Sequence, residues 1–142
     1  MIEEQQVGIG ISKIRELAFS IETLDKLPEQ LELGFGIHVE FEPSTNTFDL
    51  QVTAELKETE TQKVLVHIKV ANVFMIENMV NYYSAETDSL NLPDGALITM
   101  LSISVTHTRA LFAKNTAGTI YENHIIPIIN PTDMAKEVFK MK

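Results

Sequence analysis

The residues best equipped for chemistry in this 142-residue chain do not fall into a catalytic pattern. Its four histidines, His38, His67, His107 and His124, are scattered along the whole length, with no HExxH and no close carboxylate–histidine cluster. A metal site needs three or four donors that converge, so no metal is expected. Cysteine is absent, which removes thiolate chemistry and disulfides, and there is no GxSxG nucleophile elbow. Val7-Gly-Ile-Gly-Ile and Gly34-Phe-Gly36 pair their glycines but lack the third glycine and the strand-to-helix setting of a phosphate-binding turn. They read as glycines in strands, at bulges. The acids are spread over turns and alternate positions, as on solvated faces. The expectation is a protein without enzymatic activity and without a cofactor.

One apolar stretch is out of place. Ile125-Ile-Pro-Ile-Ile129 is hydrophobic throughout, yet Pro127, with Pro131 behind it, keeps it from being a central strand. It is either a strap over the core or one wall of an exposed apolar groove. In a groove, non-directional apolar contacts aided by some of the six methionines would accept many sequences.

The elements that position this stretch are legible from periodicity. Phe48, Leu50, Val52, Ala54 and Leu56 alternate with polar residues, and Val64, Val66, Ile68 and Val70 repeat the pattern after a polar turn, which predicts a hairpin. Ile37, Val39 and Phe41 alternate upstream, and Pro43-Ser-Thr-Asn46 supplies a turn. Val7 to Ile21 reads as extended, with a slip of phase near Lys13–Ile14 that suggests a bulge. Leu92-Pro93-Asp94 opens a helix over 93–117, with Lys114 in its last turn and Gly118 as its cap. Its stripe includes Leu101, Ser104, Val105, Thr108 and Phe112; the small hydroxyl residues suit a merely half-buried face as well as close packing of helices, which makes these five candidates for an interface between copies. A short helix over 132–140 closes the chain, capped by Thr132 and Asp133. Strands followed by helices make an α+β fold: a four-stranded antiparallel meander packed with a long helix and a short C-terminal helix.

The length suits one domain spanning 1–142, and the composition is 44% hydrophobic, ample for a core. Eleven basic against twenty acidic residues give −9, a field that repels phosphate backbones and anionic lipid, so nucleic acid and membrane are poor partners. The acidic, polar start Met1-Ile-Glu-Glu-Gln-Gln is unlike a signal peptide, and cytoplasm is the expected compartment.

Taken in order, these segments resemble the SecB export-chaperone family over nearly the whole chain. Ile11-Ser-Lys-Ile-Arg-Glu-Leu-Ala-Phe-Ser-Ile-Glu22 is similar to the family's first strand, and Val73-Phe-Met-Ile76 to the end of its hairpin. Gly118-Thr-Ile120 and Ile126-Pro-Ile-Ile-Asn130 resemble the segment after the long helix and the crossover. The resemblance implies an ATP-independent chaperone, a homotetramer built as a dimer of dimers, that holds unfolded or extended polypeptide in apolar grooves. Groove walls are expected at Phe74, Ile76, Ile125, Ile126, Ile128, Ile129, Met134, Val138 and Phe139. It also implies docking of the motor SecA on an acidic sheet surface, where Glu22 matches one acidic position. Ala18 and His67 stand where two further acids are expected, and the sequence stops at Lys142, ending basic with little or no tail, which argues against SecA as partner. Some relatives of this fold serve antitoxins instead. The competing readings are a small-ligand protein or enzyme with a closed pocket between sheet and helices, and a structural assembly subunit.

Overall fold

A computed structural model describes residues 7–140. The Met1–Gln6 start and the Lys142 end lie outside the described residues. Four long strands, β1 (Ile9–Ile21), β2 (Leu31–Glu42), β3 (Thr47–Glu58) and β4 (Val64–Ile76), form one antiparallel sheet. A two-strand ribbon follows, β5 (Tyr83–Ser84) with β6 (Ser89–Leu90), and then helices α1 (Asp94–Thr116) and α2 (Pro131–Val138). The expected α+β architecture is observed.

The meander holds for three strands only. The spatial order is β1-β4-β3-β2, so β1 crosses the sheet to lie beside β4, a Greek-key arrangement. The register of β1 against β4 shifts twice, between Ile11 and Lys13 and between Glu16 and Ala18, each bulge accommodating one extra residue. A third shift, opposite Leu56–Lys57, inserts Leu65. It turns Leu65 into the core and Val64 out to solvent, so the expected inward position of Val64 is corrected by that bulge.

The core lies between the sheet and α1. Phe48, Leu50 and Val52 of β3 meet Phe74 and Ile76 of β4 and Met100, Leu101 and Val105 of α1. A second cluster joins Leu56, Leu65, Ile68 and Phe112 with Tyr121 and Ile126. α1 is long and apolar enough by composition to cross a membrane, but it buries Ala96, Met100, Leu101, Ser104, Val105, Thr108, Phe112 and Thr116 along one stripe. This corrects the expected interface between copies. Leu101, Ser104, Val105, Thr108 and Phe112 face the chain's own sheet and leave no surface for a partner. Their hydroxyls are satisfied inside the helix: Ser104 donates to the Met100 carbonyl at 2.7 Å and Thr108 to that of Ser104 at 2.8 Å.

The long helix ends where Gly118 takes φ +79, a left-handed conformation that glycine adopts freely. α2 begins differently from expectation. Asn130 caps it, its side-chain oxygen accepting from the N–H groups of Thr132 and Asp133 at 3.0 and 3.2 Å, with Pro131 in the first turn.

Candidate functional site

As an edge strand, β2 pairs only with β3. Leu33, Phe35, Ile37, Val39 and Phe41 stand opposite Leu56, Ala54, Val52, Leu50 and Phe48, so both rows face the helical layer. The β3 row is fully buried, whereas the β2 row is only half-buried because the helices stop short of the sheet's edge. What results is an apolar row with partial cover.

The cover is the crossover between α1 and α2. Arg109 of α1 holds it, donating from Nε to the Ile126 carbonyl at 3.1 Å and from Nη2 to the Pro127 carbonyl at 3.3 Å. Two clefts lie along β2, the first between this strap and the sheet and the second between the sheet and residues of β6, α1 and the end of α2. One, of about 370 Å³, is lined by Pro28, Leu31, Leu33, Leu56 and the segment from His124 to Pro127. The other, of about 330 Å³, is lined by Ile37, Val39, Phe41 and Phe48 with Leu90, Leu97, Val138 and Phe139. A smaller cleft of about 150 Å³ separates α1 from Ile128, Ile129, Pro131 and Met134. Phe35 lies between the two larger clefts and touches both core clusters.

The expected groove residues divide into three sets. Phe74 and Ile76 are fully buried beneath α1 and belong to the core, not to a wall. Ile126 is only 2% exposed and packs inward against Tyr121 and Phe112, whereas its neighbours Ile125 and Ile128 are 63% and 90% exposed. Ile129, Met134, Val138 and Phe139 are half-buried, and all four line a cleft. Glu22 lies elsewhere, just past the end of β1. Its carboxylate meets Lys63 Nζ at 3.3 Å and its carbonyl accepts from the Tyr121 hydroxyl at 2.8 Å.

The row on β2 is the part that reading the sequence missed as a site. Its alternation is the same signal a core strand gives, and only the strand order shows that among the described residues no strand lies beyond it.

Charges are divided between the faces of β2. Glu32, Glu40 and Glu42 alternate with the apolar row and project to the opposite, outer face, where His38 Nε2 lies 3.1 Å from Glu40 Oε1. On the other side of α1, His107 Nδ1 bonds Asn72 Oδ1 at 2.8 Å, and Asn72, fully buried, donates to the Leu50 carbonyl at 3.2 Å. Burial lowers the His107 pKa below its ordinary 6.5. Near the second cleft, Tyr83 donates to Asp88 at 2.7 Å, and that bond raises the phenol's pKa.

No family model and no curated protein matches the sequence. In three dimensions the chain is similar to the Mycobacterium tuberculosis Rv1957 SecB-like chaperone, solved in complex with a ChAD peptide from the Rv1956 HigA1 antitoxin. The TM-score is 0.57 at 16% identity, over 85% of this chain and 89% of that one. The likeness is one of architecture, and it supports a SecB-like fold for this chain.

Proposed function

We propose that the chain is an ATP-independent chaperone that holds unfolded or extended polypeptide along the clefts over β2. The observation that supports this most is the half-covered apolar row of an edge strand, flanked by a strap whose Ile125 and Ile128 point outward. Each apolar side chain that a client buries there contributes about 1.5–3 kcal/mol, so a few such contacts hold a chain without selecting one sequence. The net charge of −9 keeps such a surface soluble and favours basic clients. The resemblance of fold to a chaperone solved with a peptide is consistent with this reading, and a specialised client such as an antitoxin segment falls within it. Clefts strung along a strand edge suit a chain better than a compact ligand, which favours polypeptide over the small-molecule alternative.

We carry the homotetramer into the same proposal, with its contacts moved. Ile11, Ile14 and Leu17 on β1 and Ile103 on α1 are among the exposed apolar residues available to a second copy.

The test is suppression of a client's aggregation by wild type and by Ile37→Thr/Val39→Thr, which keeps β-branching while making the row polar. The double variant should lose suppression several-fold with an unchanged circular dichroism spectrum. Failure of the wild type to suppress any aggregation, or full activity of the variant, would overturn the proposal.

A further inference from the structure

The two edges of the sheet are built differently. β1 is interrupted by two bulges and carries Lys13 and Arg15, features that discourage another strand from pairing. β2 has neither. It holds twelve consecutive pairs with β3 without a shift, and among the described residues no backbone hydrogen bond joins it to the crossover or to α2. Its far edge therefore offers a regular ladder of N–H and C=O groups beside the apolar row.

Two glycines reinforce the contrast. Gly34 and Gly36 sit at the centre of the outer face of β2, where glycine weakens a strand. Neither has a positive φ, and a Cβ would approach nothing closer than 3.7 Å at Gly34 or 3.8 Å at Gly36, an ordinary contact. Local sterics do not call for glycine at either position. Bare backbone in the middle of an edge strand does leave room for another backbone and its side chains to lie close.

From these features we infer that the client pairs edge-to-edge with β2 as an added fifth strand. The inference rests on the polypeptide-binding reading and specifies its geometry. An added strand presents alternate side chains to opposite faces. One set enters the clefts, whose β2 walls centre on Leu33 and Val39, so two large apolar anchors should stand about six residues apart. The other set meets the outer face, where Glu32, Glu40 and Glu42 flank the bare glycines, so basic residues belong there. The recognised class is an extended segment alternating apolar and basic residues. Main-chain bonds supply the affinity and the two clefts set the register.

The probe is a synthetic peptide of about eleven residues alternating leucine or phenylalanine with lysine. Two derivatives carry N-methyl groups on one or the other alternate set of backbone amides. An added strand points only one set at β2, so one derivative should bind about tenfold or more weakly while the other stays near the parent. Amide exchange on the full-length protein should show alternate β2 amides protected by the parent peptide. Equal effects of the two methylation patterns, whether both harmless or both disruptive, overturn strand addition. So does protection, in the protein without peptide, of the β2 amides that point away from β3, which would assign the edge to a second copy. If aggregation of an unfolded client is suppressed while the peptides fail in this way, only the pairing falls. If neither client nor peptide binds, the polypeptide reading falls with it.

Discussion

Arg109 reaches from the middle of α1 to the Ile126 carbonyl, 3.1 Å from its Nε, and so ties the strap to the helix. With the Pro127 carbonyl it satisfies two acceptors of an irregular segment that makes no sheet bonds. Arg109→Ala should cost about 1–2 kcal/mol, the scale of charge-assisted hydrogen bonds that are partly solvated. Urea unfolding measures the loss. Amide exchange should show residues 124–130 opening far more than the sheet.

Adjacent isoleucines in that strap should behave oppositely. Ile126→Ala removes a buried side chain from between Tyr121 and Phe112 and should cost about 2–4 kcal/mol in chemical denaturation. Ile128→Ser alters a side chain in solvent and should leave stability within about 0.5 kcal/mol. In the client-holding assay Ile128→Ser should weaken binding, because its cost appears only when a client would cover it.

Stability should fall with acid through His107. Burial lowers its folded-state pKa below 6.5, so between the two values the unfolded chain binds more protons than the folded one. The contribution is complete above about pH 6.5 and declines as pH falls from there toward the folded-state value. His107→Gln can keep a donor toward Asn72 without titrating. Thermal unfolding across about pH 7.5 to 5 should be flatter for this variant than for wild type.

Two faces of the molecule should respond differently to substitution. Leu101→Ala should lower unfolding free energy by about 2–5 kcal/mol, since Leu101 is fully buried in its own chain. Ile14→Glu, at a residue 47% exposed on β1, should leave the fold intact and reduce the mass seen by light scattering. An unchanged mass for Ile14→Glu would place contacts between copies elsewhere.

Strands β3 and β4 were legible because each has one wet face and one dry face, and such alternation has a single structural solution. The slip of phase in β1 was visible too, although the structure contains two bulges in place of one. Leu65 was not legible as a bulge: Val64 and Leu65 are equally apolar, and only pairing with Leu56 and Lys57 decides which turns inward. The strap had no period at all, so its sequence gave no sign that Ile126 points in while Ile125 and Ile128 point out. Ser104 and Thr108 misled for a chemical reason. A buried hydroxyl can bond back to the carbonyl four residues earlier, so it needs no partner helix. The apolar row of β2 was read correctly as a strand, but edge status belongs to the strand order, which depends on pairings distant in sequence.

The placement of β1 beside β4 also bears on how the chain reaches this fold. β2, β3 and β4 join through short turns, and loops of that size close in well under a microsecond to about ten microseconds. β1 has no such neighbour: Ile21 pairs with Val66 and Ile9 with Ile76, so its ladder closes only over long stretches of chain. Such non-local pairing raises contact order and slows folding. During synthesis β1 must wait, unpaired, until β4 has left the ribosome. Ile9, Phe19 and Ile21, which pack against the core once β1 is paired, stay uncovered for that whole interval and are open to misassociation until β4 arrives.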